Sequence, residues 1–124
     1  MCELSVVTKA KDLCNYVITI TEKSPKKFRF VFVNRMQNLT LDVIENIYMA
    51  NDMMLSKVMN STYQKRLSYQ HKALTNLRLL SYISLIAMEH KCIFFKQYEN
   101  LSKLSTDCQN MIGAWIVSDK KRIS

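Results

Sequence analysis

Turn-forming residues are nearly absent from this chain, which contains a single glycine and a single proline among 124 residues. A strand-rich fold needs many such residues at its turns, so their scarcity favours a few long elements. The chain is also rich in Leu, Met, Lys and Gln, which helices accommodate well. The sequence therefore predicts an all-α protein, and its length predicts one domain over residues 1–124.

Apolar periodicity and capping residues divide the chain into four predicted helices, over residues 5–22, 27–51, 60–89 and 94–118. The first is expected to end before Pro25, because proline disfavours a helical residue in front of it. Asn60, Ser61 and Thr62 offer N-caps for the third. Four helices with short connections pack most simply as an up-down-up-down four-helix bundle.

Three of the predicted helices carry a stripe of apolar residues at steps of three and four, the pattern of a helix that buries one face. The stripe of the second helix comprises Phe32, Met36, Leu39, Val43, Ile47 and Ala50. The first contributes Leu13, Tyr16, Val17 and Ile20, and the fourth Tyr98, Leu101, Leu104, Cys108, Met111 and Trp115. Gly113 costs the fourth helix about 1 kcal/mol relative to alanine, which suggests close approach of another helix.

The second half of the third helix, residues 77–88, is apolar on nearly every side. The outer face of a small bundle should be polar, so this segment predicts a second burial surface. Deeper burial inside the monomer is the alternative, although a bundle of this size has no central helix. We expect a contact between identical subunits, formed by Leu79, Leu80, Tyr82, Ile83 and Ile86.

The formal net charge is +8, from 18 Lys and Arg against 10 Asp and Glu. Such an excess favours a polyanionic partner: nucleic acid, an anionic membrane surface or an acidic protein. No acid lies between Asp52 and Glu89, whereas a face charged only for solubility normally mixes both signs. A solvated basic surface without a partner is the alternative.

Two groups of cations are candidate contacts for nucleic acid. Lys26, Lys27 and Arg29 lie at a predicted helix start, where like charges are unfavourable unless an anion such as phosphate binds them. Basic residues interleaved with tyrosines on the third helix could hold a strand by charge and stacking, although such tyrosines often pack at the core margin. The full candidate set is Lys26, Lys27, Arg29, Arg35, Lys65, Arg66, Lys72 and Arg78.

The sequence contains no pattern typical of catalysis or of metal or cofactor binding. There is no nucleophile beside a base, no glycine-rich phosphate loop and no metal-ligand cluster, so we expect a protein that is not an enzyme and uses no metal, cofactor or small-molecule substrate. Without a signal peptide, Cys2, Cys14, Cys92 and Cys108 are expected to be free thiols in the cytoplasm. The apolar runs are too short to span a membrane.

The string KKFRF....RMQNL.LDVIENIYMAN from Lys26 to Asn51 resembles the second helix of the accessory variability determinant proteins of diversity-generating retroelements. The segment LTNLRLLSY around Arg78 is similar to the Leu-Arg pair on that family's third helix. The segment YENLSKL......MIGAWI resembles its closing Gly-x-Trp helix. This chain departs from the family at Tyr82, where relatives carry a second arginine.

This resemblance implies a homopentameric ring of four-helix bundles. It further implies an accessory subunit that binds the reverse transcriptase and template RNA or DNA through a basic surface, and so supports mutagenic copying of the template. A stand-alone bundle of the wider group, often encoded within ribosomal RNA intervening sequences, is one alternative. A basic adaptor for an acidic protein or a membrane surface is another.

Overall fold

The computed structural model describes residues 3–58 and 60–124, with side chains from residue 5 onward, and this part of the chain is helical with no strand. A 3₁₀ turn and a π-helical turn precede the second α-helix. The elements in order are α1 (Glu3–Thr21), the 3₁₀ turn (Lys26–Phe28), the π-helical turn (Arg29–Val33), α2 (Asn34–Asp52), α3 (Asn60–Glu89) and α4 (Phe95–Ile123). The predicted all-α, four-helix architecture is confirmed.

One end of the bundle holds the α1–α2 and α3–α4 connections and is here called the Lys91 end. The Gln37 side-chain amide, at the start of α2, donates a hydrogen bond to the Thr21 hydroxyl at the end of α1 (3.0 Å). The Ser24 hydroxyl, just after α1, donates to the carbonyl of Cys92, just after α3 (2.8 Å). The C-terminal ends of α1 and α3 therefore lie together.

The opposite end holds the α2–α3 connection and the last turns of α4, and is here called the Asp119 end. Arg66, in the second turn of α3, donates from Nε to Oδ2 of Asp119 in α4 (2.6 Å). Its Nη1 donates to the carbonyl of Met53, just after α2 (3.1 Å). Each helix therefore runs opposite to the one before it, and α4 packs back against α1.

The apolar stripes form the core that the sequence predicts. In α2 the buried members are Met36, Leu39, Val43, Ile47 and Ala50, while Phe32, in the π-helical turn before α2, is half-buried. In α1, Leu13, Val17 and Ile20 are buried and Tyr16 lies at the core margin. In α4, Leu101, Cys108 and Trp115 are buried, and Tyr98, Leu104 and Met111 are half-buried.

The buried residues of α3 are not simply its most apolar ones. They follow alternating steps of three and four through Tyr63, Arg66, Gln70, Ala73, Leu77, Leu80, Ser84 and Ala87. The last two are small, so the larger apolar residues of the same segment are left on the flanks and the outer side. Residues 85 and 86, for example, are only half-buried.

The predicted subunit contact is therefore wrong in part. Leu80 is fully buried in the core of its own bundle and cannot contact a second copy. Leu79 and Ile83 are half-buried and pack against that core. Tyr82, at 64% exposure, and the half-buried Ile86 remain available on the outer side. Burial within the monomer, the alternative interpretation, accounts for Leu80 and in part for Leu79 and Ile83.

The expected close helix approach at Gly113 is also wrong within this chain. A Cβ atom added there would meet no atom within 4 Å among the described residues. The glycine is therefore not required by packing inside the bundle. Across the described ranges, no helix is both long enough and apolar enough to cross a membrane.

Candidate nucleic-acid interface

The entry into α2 is irregular, which places side chains differently from a regular helix. The second helix was predicted to start at Lys27, but the α-helix begins only at Asn34, after the 3₁₀ and π-helical turns. The wider π-helical turn rotates residues away from the α-helical register, and such turns are frequent at functional sites. On this turn Phe30 is 82% exposed and Val31 is 59% exposed.

Three of the predicted cations lie together on these turns. Lys26, Lys27 and Arg29 are exposed at the Lys91 end, and no acid among the described residues pairs with them. Lys27 Nζ lies 5.1 Å from the centre of the Phe28 ring. Exposed cations without carboxylate partners keep their full attraction for phosphate.

Aromatic contacts hold the irregular turns against α3. The Phe28 ring lies 5.6 Å from the Phe32 ring, and the Phe32 ring lies 5.8 Å from the imidazole of His90, just after α3. Tilted rings at these distances are typical of favourable aromatic pairs. The cations of the turns are thus carried on an anchored segment.

The loop from α3 to α4 adds a lysine in an unusual backbone conformation. The amide of Lys91 donates to the carbonyl of Met88 (3.0 Å) and the amide of Cys92 to that of Ala87 (2.8 Å), which is the Schellman motif that ends many helices. The motif needs a left-handed residue, usually glycine, whereas here Lys91 has φ of 66°. A non-glycine residue in this conformation costs roughly 1–2 kcal/mol.

A cavity of about 630 Å³ lies between the two connections at this end. Its walls include Lys23, from the exit of α1, and Lys91, from the α3–α4 loop. Phe94, which is 74% exposed, and Gln97 line it from the start of α4. Gln97 Oε1 accepts a hydrogen bond from the Phe94 amide (2.9 Å) and so fixes the first turn of α4.

Of the remaining predicted cations, Arg35 lies at the Lys91 end and the others lie along α3. Arg35 is exposed in the first turn of α2, Lys65 is exposed on α3, and Arg78 is exposed near the middle of α3. Lys72 lies in a groove between α2 and α3 that Asp42 and Glu45 also line, and those carboxylates oppose an anion there. The predicted set therefore does not form one continuous surface.

Arg66 was predicted to contact nucleic acid, and the structure corrects this. The residue is only 5% exposed, and its side chain forms a two-point ion pair with the fully buried Asp119, at 2.6 Å and 3.1 Å. The Gln70 side-chain amide donates to the same carboxylate at 2.9 Å. The guanidinium also lies 5.2 Å from the Trp115 ring. Arg66 therefore holds the bundle together instead of binding a ligand.

Sequence reasoning missed Asp119, which is fully buried in α4. The helical spacing could have predicted its burial, because Asp119 lies four residues after Trp115 and continues the buried positions of α4. Tyr63 likewise proves buried, so it is unavailable for stacking on a base, and Tyr69 is half-buried beside Lys72.

The cysteines that the structure describes are buried free thiols. Cys14, Cys92 and Cys108 form no disulfide, while Cys2 lies outside the described residues. Burial raises the pKa of the Cys108 thiol to about 11. Within residues 3–58 and 60–124, no group of His, Cys, Asp and Glu side chains is placed to hold a metal ion.

This arrangement defines a four-helix bundle with a basic, aromatic cavity at one end. No family model matches the chain, and no curated protein is significantly similar to it. Its fold resembles the crystal structure of a protein of unknown function from the S23 ribosomal protein family of Bacteroides thetaiotaomicron. The TM-score is 0.77 at 16% identity, over 94% of this chain and 98% of that one. At this identity the likeness shows the fold alone.

Proposed function

We propose that the protein is a non-enzymatic accessory subunit of a diversity-generating retroelement. It binds the reverse transcriptase and the template RNA or DNA, and so supports mutagenic cDNA synthesis. The resemblance of residues 26–51, 74–82 and 98–116 to the accessory variability determinant proteins motivates this role. The observation that carries it is the cluster of exposed cations, Lys26, Lys27 and Arg29, at the Lys91 end.

The physical contribution of such a subunit is position and charge. Phosphates that bind the Lys91 end release their counterions, which makes association favourable and dependent on salt. A multivalent assembly of copies holds RNA near the polymerase at high effective concentration. Polymerisation itself is left to the reverse transcriptase.

A homo-oligomeric ring, five-membered by the resemblance, is the second part of the proposal. A ring requires two different faces that fit each other on neighbouring copies. One is the outer side of α3 with the exposed Tyr82 and the half-buried Ile86. The other is the outer side of α4, where Gly113 leaves open space and Val117 is 53% exposed. A neighbouring copy accounts for a glycine that the bundle itself does not require.

Charge reversal tests the nucleic-acid contact. The variant Lys26→Glu, Lys27→Glu, Arg29→Glu is expected to keep its helix content by circular dichroism and to lose RNA retention in a filter-binding assay. The matched control reverses three exposed lysines at or near the Asp119 end, Lys57, Lys120 and Lys121, and is expected to retain RNA.

The salt dependence makes this test quantitative. Glutamine at the same three positions should reduce the slope of log affinity against log salt by about 2, because each contact with a single-strand phosphate contributes roughly 0.7. Unchanged RNA binding by the charge-reversed variant would remove Lys26, Lys27 and Arg29 from the interface. Equal loss in the control would mean that only the total charge matters.

Light scattering tests the ring. The purified protein is expected at a multiple of the monomer mass of 14.6 kDa, and Tyr82→Asp with Val117→Asp is expected to give monomers with unchanged helix content. Lys103→Asp, at an exposed position of α4, serves as the control. A monomeric wild-type protein would contradict the ring.

A stand-alone bundle related to ribosomal RNA intervening sequences is the second candidate. This chain has the same fold as a protein of unknown function from the S23 ribosomal protein family, and that shared fold is consistent with both candidates. The neighbouring genes separate the two candidates, because a reverse transcriptase gene and a template repeat belong only with the first. A basic adaptor for an acidic protein or membrane surface would instead show binding to that partner, or to anionic vesicles, with no retention of RNA.

A further inference from the structure

We propose that the cavity at the Lys91 end binds an unpaired base of a single-stranded nucleic acid. This inference rests on the proposed function, since it names the form of nucleic acid that the same end of the bundle recognises. The inference depends on one observation: Lys23, Lys91 and the exposed Phe94 ring lie around one cavity of about 630 Å³.

The shape of the cavity fits a flat aromatic ligand. Its volume falls within the roughly 300–1,000 Å³ of typical ligand pockets. Phe94 lies at its wall with 74% of its surface exposed, although large apolar side chains normally bury most of their surface. A base stacked on this ring would cover it, and stacking of this kind tolerates any base because every base has a π-face.

The polar groups around the cavity fit the rest of a nucleotide. Lys23 and Lys91 line the cavity from two different connections, where their cations can hold the flanking phosphates. Glu22 is the one carboxylate among the lining residues, and Gln97 contributes an amide. A carboxylate disfavours phosphate but accepts hydrogen bonds from the N–H groups of a base edge. The base therefore enters, while the phosphates stay at the lysines.

The cavity is held in shape before any ligand arrives. The Ser24 hydroxyl bonds the Cys92 carbonyl at 2.8 Å and joins its two walls. Lys91 keeps a left-handed conformation in which glycine would be less strained. Backbone strain of this kind is often found at ligand sites, where the surrounding structure enforces it. A lysine at this position makes physical sense if its side chain is needed at the cavity.

Duplex nucleic acid cannot use the cavity in the same way. A paired base is stacked on both sides and its edge is occupied, so it would have to be flipped out of the helix first. A single strand needs no flipping. The cations Lys26, Lys27 and Arg29 can still attract a duplex through its phosphates, so the expected difference is a preference for single strands and not an absolute exclusion of duplex.

The test compares one unstructured RNA oligonucleotide, carrying 2-aminopurine at one position, with the same strand annealed to its complement. Fluorescence anisotropy gives the affinities, and quenching of the 2-aminopurine reports stacking. Phe94→Leu is expected to weaken single-strand binding about tenfold, to abolish the quenching and to leave duplex binding unchanged. Phe95→Leu is the matched control, because Phe95 is the adjacent exposed phenylalanine and does not line the cavity.

A second variant guards against misfolding of the first. Lys91→Gly removes one cation from the cavity and relieves the backbone strain, so it should weaken single-strand binding several-fold in a protein that is at least as stable. Equal affinity of the wild type for both RNA forms, or equal effects of Phe94→Leu and Phe95→Leu, would overturn this inference and leave the proposed function standing. Failure of the wild type to bind either form would overturn both.

Discussion

The two ends of the bundle use charged residues in opposite ways. At the Asp119 end, Arg66 and Asp119 are buried and bonded to each other. At the Lys91 end, Lys26, Lys27 and Arg29 are exposed and have no acidic partner in the described part of the chain. An arginine is therefore a structural residue at one end and a candidate contact at the other. The position of an arginine on its helix decides between these two roles, and Arg66 occupies a core position of α3.

The contacts and the backbone conformation at the two ends show the same contrast. The Asp119 end joins three elements through one carboxylate and one guanidinium, since Arg66 also bonds the Met53 carbonyl after α2. The Lys91 end has a π-helical turn, a left-handed lysine and exposed phenylalanines. The buried ion pair lies at the first end, while exposed and partly strained groups that suit a ligand lie at the second.

The largest expected effect comes from breaking the buried ion pair. Asp119→Ala leaves the Arg66 guanidinium buried without its carboxylate, which typically destabilises a protein by about 3–5 kcal/mol. Urea unfolding followed by circular dichroism measures this loss. Asp12→Ala, at an exposed position of α1, is the control and should change the free energy of unfolding by less than about 0.5 kcal/mol.

A double replacement sharpens the same prediction. Arg66→Met with Asp119→Leu removes both charges and is expected to be far less destabilising than Asp119→Ala alone, because no buried charge is left unpaired. RNA binding by the folded double variant should match the wild type. Weakened RNA binding at full stability would show that the two ends are not separate in function.

Much of this fold could be predicted from the sequence, because helix period and turn scarcity are local signals. The end of α3 at Glu89 and the core stripe of α2 are as expected. The late start of α2 was not predictable from periodicity, since Phe32 and Met36 keep the helical spacing through the π-helical turn. The predicted subunit contact on α3 was wrong in part because small residues, Ser84 and Ala87, occupy the core positions of this helix.

The candidate site was less accessible to sequence reasoning. The cluster at Lys26, Lys27 and Arg29 stood out as a run of charge, but the cavity depends on tertiary contact between two connections. Nothing local to Lys91 indicates that it takes a left-handed conformation in place of glycine. Phe94 could equally have belonged to the core, since exposure of a phenylalanine is decided by packing and not by its neighbours in the sequence.

A smaller effect is expected from relieving the strain at the Lys91 end. Lys91→Gly should raise the free energy of unfolding by about 1 kcal/mol, because glycine adopts positive φ without a steric penalty. Thermal melting measures the change. Lys96→Gly, in the first turn of α4, is the control and should be neutral or destabilising. A destabilised Lys91→Gly protein would mean that the lysine side chain itself stabilises the loop.

The smallest expected effect is a difference in reactivity between two thiols, that of Cys92 at the Lys91 end and that of Cys108 near the middle of α4. Burial raises the pKa of both the Cys92 and the Cys108 thiols, that of Cys108 from 9.0 to about 11. The buried thiol of Cys108 therefore stabilises the fold fully below about pH 9, and this contribution is lost as the pH rises through about 11. Both thiols should react slowly with iodoacetamide at neutral pH.

Cys92 is expected to react before Cys108, because it belongs to the loop at the strained end and lines the cavity. Local opening of a loop requires less free energy than opening of the core. Mass spectrometry after timed labelling gives both rates. Single-stranded RNA in the cavity should slow the labelling of Cys92 and leave that of Cys108 unchanged. Equal slowing at both positions would mean that RNA stabilises the whole bundle instead of covering one end of it.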